Sequence, residues 1–179
     1  MKKFTKMSLK LIFIFLMSIT SFSQTKGYVS FSIDPLMMMQ GPYAESSKGQ
    51  LDFIIRGGVT KGDHSEFGAY YESFQVIDYY GYGAFYNYKL SIENDNKSYN
   101  KWEFLIGPEF GLIQREIKEL EESSALLNAA VNGEIRYFFN EKWGVLINSN
   151  LRYRPDLSHH YEAKDLIKYN GYIGIIYRW

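Results

Sequence analysis

Apolar and polar residues alternate along eight stretches of this chain, with the period of two that is typical of β-strands. In the last stretch, residues 169–179, Ile173 and Ile175 share one face, whereas Asn170 and Arg178 share the other. Strands of about ten residues are long enough to cross a bilayer at a tilt. The pattern predicts an all-β fold, an up-and-down antiparallel transmembrane β-barrel of about eight strands. The other seven predicted strands are residues 28–34, 51–60, 66–74, 79–90, 102–113, 127–139 and 143–154.

The connections between these strands differ in length. Those after the second, fourth and sixth strands are compact, those after the first, fifth and seventh are longer, and residues 75–78 break the trend. Bacterial outer-membrane barrels have short turns at the periplasmic end and longer loops outside the cell. Residues 116–124 are predicted to be an acidic loop that could form a helical turn, and residues 155–167 to be the last loop. Pro108 predicts a bulge within the fifth strand.

Side-chain volume indicates which face of the strands lines the barrel. A soluble lipocalin-like barrel has its apolar face inside, whereas a membrane barrel has it outside. The apolar face is crowded with aromatic and aliphatic residues, more than a narrow lumen can hold. Glycines, which relieve crowding, lie on the polar face, so this face is predicted to point inward. They are Gly58, Gly68, Gly81, Gly83, Gly107, Gly111, Gly144 and Gly174. A soluble exported barrel that binds an apolar ligand is the alternative.

The first 23 residues are predicted to be a signal peptide, which leaves residues 24–179 as the barrel. Four lysines precede an apolar run at residues 11–17, which is too short to span a bilayer as a helix. Removing these lysines from the 20 basic residues leaves 16 against 20 acidic ones, so no basic excess predicts a nucleic-acid partner. The chain has 0 cysteines, which excludes disulfides, thiolate catalysis and a lipoprotein anchor.

Six acidic and six basic residues lie on the predicted inner face. Because an unpaired buried charge is costly, equal numbers favour a salt-bridge network that plugs the lumen. A narrow or gated pore, in which the pairs exchange partners, is the alternative. The predicted network consists of Asp52, Arg56, Glu66, Glu72, Lys89, Glu103, Glu109, Glu134, Arg136, Arg152, Arg154 and Arg178.

Aromatic residues are predicted to form a girdle at one rim of the barrel. Trp102 and Trp143 begin the fifth and seventh strands, and Trp179 ends the eighth, so an up-and-down barrel brings all three to the same end. Tryptophan and tyrosine are enriched where a membrane meets water. The predicted girdle consists of Tyr88, Trp102, Phe139, Trp143, Tyr177 and Trp179.

The export signal, the strand pattern and the terminal Tyr177-Arg178-Trp179 resemble the small OmpA/OmpX-type outer-membrane barrels, in the form common in Bacteroidetes. The resemblance implies a location in the outer membrane of a Gram-negative cell envelope, with lipid and lipopolysaccharide as partners. It also implies delivery to the barrel-assembly machinery through the C-terminal strand. A structural or surface-interaction role follows, in envelope integrity, adhesion or loop contacts, with no enzymatic activity and an extracellular partner that the sequence does not identify.

His159 and His160 are the main candidates for another chemistry. Ser158 precedes them and Glu162 follows, so an enzyme that modifies envelope lipids is a further alternative. The surrounding residues are polar and match no spacing of such enzymes, which favours a solvated loop. The sequence therefore predicts no catalytic residue, no metal site and no cofactor.

Overall fold

The computed structural model describes residues 26–40, 51–74, 79–90, 101–117, 122–161 and 164–179. The predicted signal peptide lies outside these residues. Two short helices, α1 (Pro35–Gln40) and α2 (Pro155–Tyr161), follow the first and seventh strands. The strands are β1 (Lys26–Ile33), β2 (Asp52–Lys61), β3 (Ser65–Phe74), β4 (Tyr79–Leu90), β5 (Trp102–Ile117), β6 (Glu122–Phe138), β7 (Trp143–Tyr153) and β8 (Ile167–Arg178).

The eight strands form a closed barrel. Each strand pairs antiparallel with its neighbours in sequence, and β8 pairs with β1 to complete the ring. At this seam Phe31 lies opposite Ile175, and the Trp179 amide donates to the Gly27 carbonyl at 3.0 Å. The predicted architecture, an eight-stranded up-and-down antiparallel barrel, is confirmed. Closure leaves no strand edge unpaired, as a chain surrounded by hydrocarbon requires.

Burial alternates along the strands. The outer face is apolar, and the inner face has the charged and amide side chains together with buried aromatic and aliphatic residues such as Tyr172 and Ile54. In β7 the residues from Gly144 to Arg152 that point inward are buried, and the residues between them are exposed, Ser149 only partly. Leu127 is 77% exposed on the outer face, whereas Arg152 is fully buried in the lumen. A barrel that carries an apolar ligand in water has the opposite arrangement. The alternative of a soluble lipocalin-like barrel is therefore wrong.

The connections differ from prediction in two places. Much of the predicted acidic loop at residues 116–124 is strand, because β5 continues to Ile117 and β6 begins at Glu122. Backbone hydrogen bonds extend a hairpin with polar residues as well as with apolar ones, so the apolar pattern understates the strand length. The predicted last loop contains α2, which begins at Pro155, a residue favoured in the first turn of a helix.

The bulge predicted at Pro108 does not occur within β5. The pairing of β5 with β6 runs from Trp102 to Ile117 without an extra residue. Pairing with β4 lapses for the two residues opposite Gly107 and Pro108 and then resumes in the same register. A Cβ atom at Gly107 would lie 1.8 Å from the Tyr86 carbonyl oxygen, so the two backbones approach closely there. Pro108 has no backbone N–H to pair with β4, and the strand passes this position without an inserted residue.

Candidate functional site

The centre of the lumen contains a series of buried ion pairs. Glu109 of β5 contacts Arg56 of β2, and its second oxygen accepts from Arg152 of β7 at 3.3 Å. Arg152 also contacts Glu72 of β3. The Tyr70 ring lies 5.9 Å from the Arg56 guanidinium and 5.4 Å from that of Arg152. Each charge therefore has an opposite charge beside it, which a water-poor interior requires.

A second group of pairs lies nearer the end of the barrel where β1 begins and β8 ends, which we call the terminal end. Arg136 of β6 donates to both oxygens of Glu66 at 2.7 Å each, and it also contacts Glu134. The Tyr28 hydroxyl donates to Glu66 at 2.6 Å, and the Tyr28 ring lies 4.3 Å from the Arg136 guanidinium. A bidentate arginine–carboxylate pair is among the strongest polar contacts in proteins.

Asparagine side chains fill the space between these groups. Asn132 donates to Asn87 at 3.0 Å, and Asn148 donates to both Asn132 and Glu134, the latter at 3.0 Å. All three amides are inaccessible to solvent. The polar groups therefore link β4, β6 and β7 across the lumen without adding net charge.

The last predicted pairs lie at the terminal end of the lumen. Glu103 accepts from Lys89 at 2.7 Å and from Arg178 at 3.1 Å, and Arg136 lies 3.7 Å from its second oxygen. Asp52, by contrast, is in no ion pair within the described residues, and its Oδ1 has no hydrogen-bond partner there. The structure thus places all twelve predicted charged residues on the inner face and brings eleven of them into ion pairs, Asp52 being the exception.

The sequence analysis missed three buried charged residues, Asp34, Arg115 and Asp156, of which the last two form an ion pair. Asp156 of α2 accepts from Arg154 at 2.7 Å and from Arg115 at 3.2 Å, and it is completely buried. Burial alone would raise the pKa of Asp156, but the two guanidinium groups hold it below its ordinary value. Arg115 has the same inward parity as Glu103 and Glu109, so a longer β5 would have revealed it.

These contacts close the loop end of the barrel. Helix α2 turns back so that Asp156 enters the mouth between Arg115 and Arg154. On the other side, Met37 of α1 packs against the buried cluster of Phe74, Tyr79 and Ile113. Ion pairs therefore cross the lumen at its centre, and the two described helices pack at the loop end.

The predicted girdle residues lie together at the terminal end. Trp143 and Tyr177 have ring centroids 4.8 Å apart, and Trp179 lies 6.2 Å from Tyr177. Trp102 and Phe139 are joined by Tyr137, which the sequence analysis did not include, at 4.8 and 5.9 Å. The last member, Tyr88, stacks on His64 with a centroid distance of 5.6 Å.

The other candidate chemistry lies mostly outside the described residues. Ser158 is exposed on α2, and the side chains of His159, His160 and Glu162 are beyond what the structure describes. In the part that it does describe, no three histidine, aspartate or glutamate side chains converge as a metal site. Neither helix within these ranges is long and apolar enough to cross a membrane.

The sequence matches no protein-family model and no curated protein. Solved structures of small membrane barrels do resemble it. A de novo designed transmembrane β-barrel aligns with a TM-score of 0.52 and 7% identity, over 87% of this chain and 94% of that one. Yersinia pestis Ail, in a phospholipid bilayer nanodisc, aligns with a TM-score of 0.51 and 11% identity, over 87% of this chain and 100% of Ail. Neisserial surface protein A aligns with a TM-score of 0.47 and 12% identity, over 86% and 94% of the two chains.

The chain has the fold of a small outer-membrane β-barrel. The predicted resemblance is thereby confirmed at the level of the fold, and the predicted location in the outer membrane agrees with this fold and with the apolar outer face. The finer assignment to a form common in Bacteroidetes stays a prediction.

Proposed function

We propose that this chain is an integral outer-membrane protein with a plugged lumen, which acts structurally or through contacts made by its loops. The observation that carries the proposal is the series of buried ion pairs through the centre of the barrel, from Arg136–Glu66 to Arg152–Glu72. Lipid and lipopolysaccharide are its partners along the apolar outer face. The role then lies in envelope integrity, adhesion or surface contact and not in transport.

Energetic cost supports the plug. An eight-stranded barrel has an interior just wide enough for side chains. A solute that passed Glu109 would have to separate it from Arg56 and Arg152, both of which are completely or almost completely buried. Breaking a buried pair by removing one partner costs about 3–5 kcal/mol. The alternative of a narrow pore requires this cost to be met several times along one path.

Membrane fractionation tests the location. The full-length chain should fractionate with the outer membrane and migrate differently on gels with and without boiling. Protease added to intact cells should cleave only at the loop end, which contains α1 and α2. Recovery in the soluble periplasmic fraction would refute the proposal.

Planar-bilayer recording tests the plug. The refolded barrel should give no stable conductance steps under conditions in which an open porin does. Stable steps in the wild-type protein would favour the pore alternative over the plug. Because the barrel would still be a membrane protein, this result would leave the proposed location intact.

We infer no enzymatic activity, since the predicted charges of the lumen, apart from Asp52, are engaged with one another in ion pairs. Replacing Ser158, His159 and His160 together by alanine should leave the lipid A profile of the cell unchanged. An altered profile would instead support the lipid-modifying alternative.

We also propose assembly through the C-terminal strand. Trp179→Ala should then lower the amount of folded barrel in the membrane without changing synthesis of the chain.

A further inference from the structure

The two ends of the lumen differ. The loop end is occupied by Asp156 and covered by α1 and α2, whereas no described residue covers the opposite end, where β1 begins and β8 ends. A cavity of about 690 Å³ enters the barrel there, between the start of β1, the β2–β3 turn and the end of β8. We call this cavity the terminal vestibule. Its volume lies in the range of small-molecule sites, about 300–1,000 Å³.

The charge of the terminal vestibule is positive, although the barrel sequence as a whole has more acidic than basic residues. Five cationic and three acidic residues line it, and one of the acids, Asp63, is exposed in the β2–β3 turn. Two of the acids are already engaged, because Glu66 is held by Arg136 and Glu103 lies between Lys89 and Arg178. The buried Arg136–Glu66 pair lines the inner part of the cavity, and the partly exposed pairs of Glu103 line it nearer the surface.

Two further cations stand at the rim. Lys26 begins β1 and Lys61 ends β2, and both residues are exposed and line the cavity. Lys26 lies opposite Thr60, so the two lysines occupy neighbouring strands at the same level. In the described part of the chain, no ion pair joins either lysine to an acid. A concave, low-dielectric surface of one sign concentrates ions of the opposite sign.

We propose that the terminal vestibule binds an organic oxyanion that carries two or more carboxylate or phosphate groups. Several groups are required because the cations stand on separate strands, with Lys26 and Lys61 on one side and Lys89 and Arg178 on others. Ammonium and guanidinium groups make charge-assisted hydrogen bonds to either oxyanion. An organic body fits because Phe138 and Ile176 line the same cavity.

This site goes beyond the plugged barrel and does not require transport. The paired charges above the vestibule block passage through the centre, yet they leave the cavity itself open at the terminal end. In an outer membrane of the proposed orientation the ligand would enter from the periplasm. Binding in detergent depends on the cavity alone, so it can be tested whether or not the proposed location is right.

Titration calorimetry on the purified full-length barrel in neutral detergent tests the proposal, with citrate and tripolyphosphate as separate probes at low salt. We expect binding that weakens as salt increases. The double variant Lys26→Gln/Lys61→Gln should bind about tenfold more weakly, a loss of about 1.4 kcal/mol. The control Lys164→Gln/Lys168→Gln removes the same charge at the loop end and should bind like the wild type.

The two probes identify the ligand class. Binding of citrate alone supports a polycarboxylate, binding of tripolyphosphate alone supports a polyphosphorylated ligand, and binding of both supports recognition of the shared charge. The proposal is overturned if neither probe binds. It is also overturned if the loop-end control weakens binding as much as the rim variant, because only overall charge would then matter. Retained heat-modifiability on gels confirms that each variant is folded.

Discussion

Arg136 of β6 holds Glu66 of β3 across the lumen through two hydrogen bonds, both 2.7 Å long. The side chains are separated by 70 residues of sequence, and both are buried. The contact exists only when the barrel is closed, because β3 and β6 are not neighbours in the sheet. The Arg136–Glu66 pair therefore contributes to stability only in the closed barrel.

Removing either member of this pair should destabilise the barrel. Glu66→Gln leaves Arg136 with two acids, Glu134 and Glu103. Arg136→Met instead leaves these two acids and Glu66 without the cation that they share. Since an uncompensated buried charge costs about 3–5 kcal/mol, we expect Arg136→Met to reach that range and Glu66→Gln to cost less. Urea unfolding of the barrel refolded into lipid vesicles measures both.

The control for this pair is Glu141→Gln, at the exposed turn between β6 and β7. It should change the free energy of unfolding by less than about 0.5 kcal/mol, as surface substitutions usually do. Equal costs for Arg136→Met and this control would show that the bidentate pair contributes nothing to stability.

Helix α2 should separate from the barrel mouth in acid. The pKa of Asp156 is held below its ordinary value by Arg154 and Arg115, so the stabilisation is complete above the ordinary pKa of an aspartate. It is lost as pH falls through the lowered value, that is, only below about pH 4. Limited proteolysis by an acid-active protease should therefore show cleavage in α2 that begins in this range.

Asp156→Asn should expose α2 to proteolysis even at neutral pH, because Arg115 and Arg154 then lose the carboxylate that both of them contact. Asp165→Asn is the matched control, since Asp165 is an exposed acid that pairs with Lys168 at 2.8 Å. Surface pairs of this kind contribute little. If both variants are cleaved alike at neutral pH, Asp156 does not hold the helix.

The cost of a charge on the outer face should depend on its depth in the membrane. Ile147 lies in the middle of β7 and is 58% exposed, whereas Phe139 lies just beyond the end of β6 and is 56% exposed. In a bilayer, Ile147→Arg should destabilise the barrel by about 2–4 kcal/mol and Phe139→Arg by about 0–1 kcal/mol. Unfolding in lipid vesicles measures the difference. Similar costs at the two positions would mean that the outer face does not meet hydrocarbon.

Two glycines test how closely the strands approach. A Cβ atom at Gly107 would lie 1.8 Å from the Tyr86 carbonyl oxygen, whereas at Gly133 the nearest atom would be 4.0 Å away. Gly107→Ala should therefore destabilise the barrel by about 1–3 kcal/mol or more, the cost that is typical of overpacking. Gly133→Ala should be close to neutral. The order of their unfolding midpoints in urea checks this, and a reversed order would contradict the close approach of the β4 and β5 backbones at Gly107.

Much of the fold was predictable because alternation is a local property. Residues two apart on a strand share a face whatever the rest of the chain does. The alternation of Glu103, Glu109 and their apolar neighbours therefore assigned the inner and outer faces before any strand was paired. The same rule failed where apolar residues stop, so Arg115 was placed beyond the end of β5.

The partners within the lumen were not predictable, and the reason is geometric. Parity states that Glu66 and Arg136 point inward, but not at what height or from which side. The contact of Arg136 with Glu134 is local, because the two residues are neighbours on one face of β6, whereas only the pairing register and barrel closure decide that Arg136 also contacts Glu66.

The amino-acid sequence by itself thus determined the strand count, the faces and the charge of the interior, since each depends on neighbours within one strand. The tertiary structure decided which charges pair across the lumen, that Asp156 of α2 reaches Arg115, and that a cavity forms at the terminal end. These features depend on contacts between residues that are distant in sequence, and such contacts exist only once the barrel has closed.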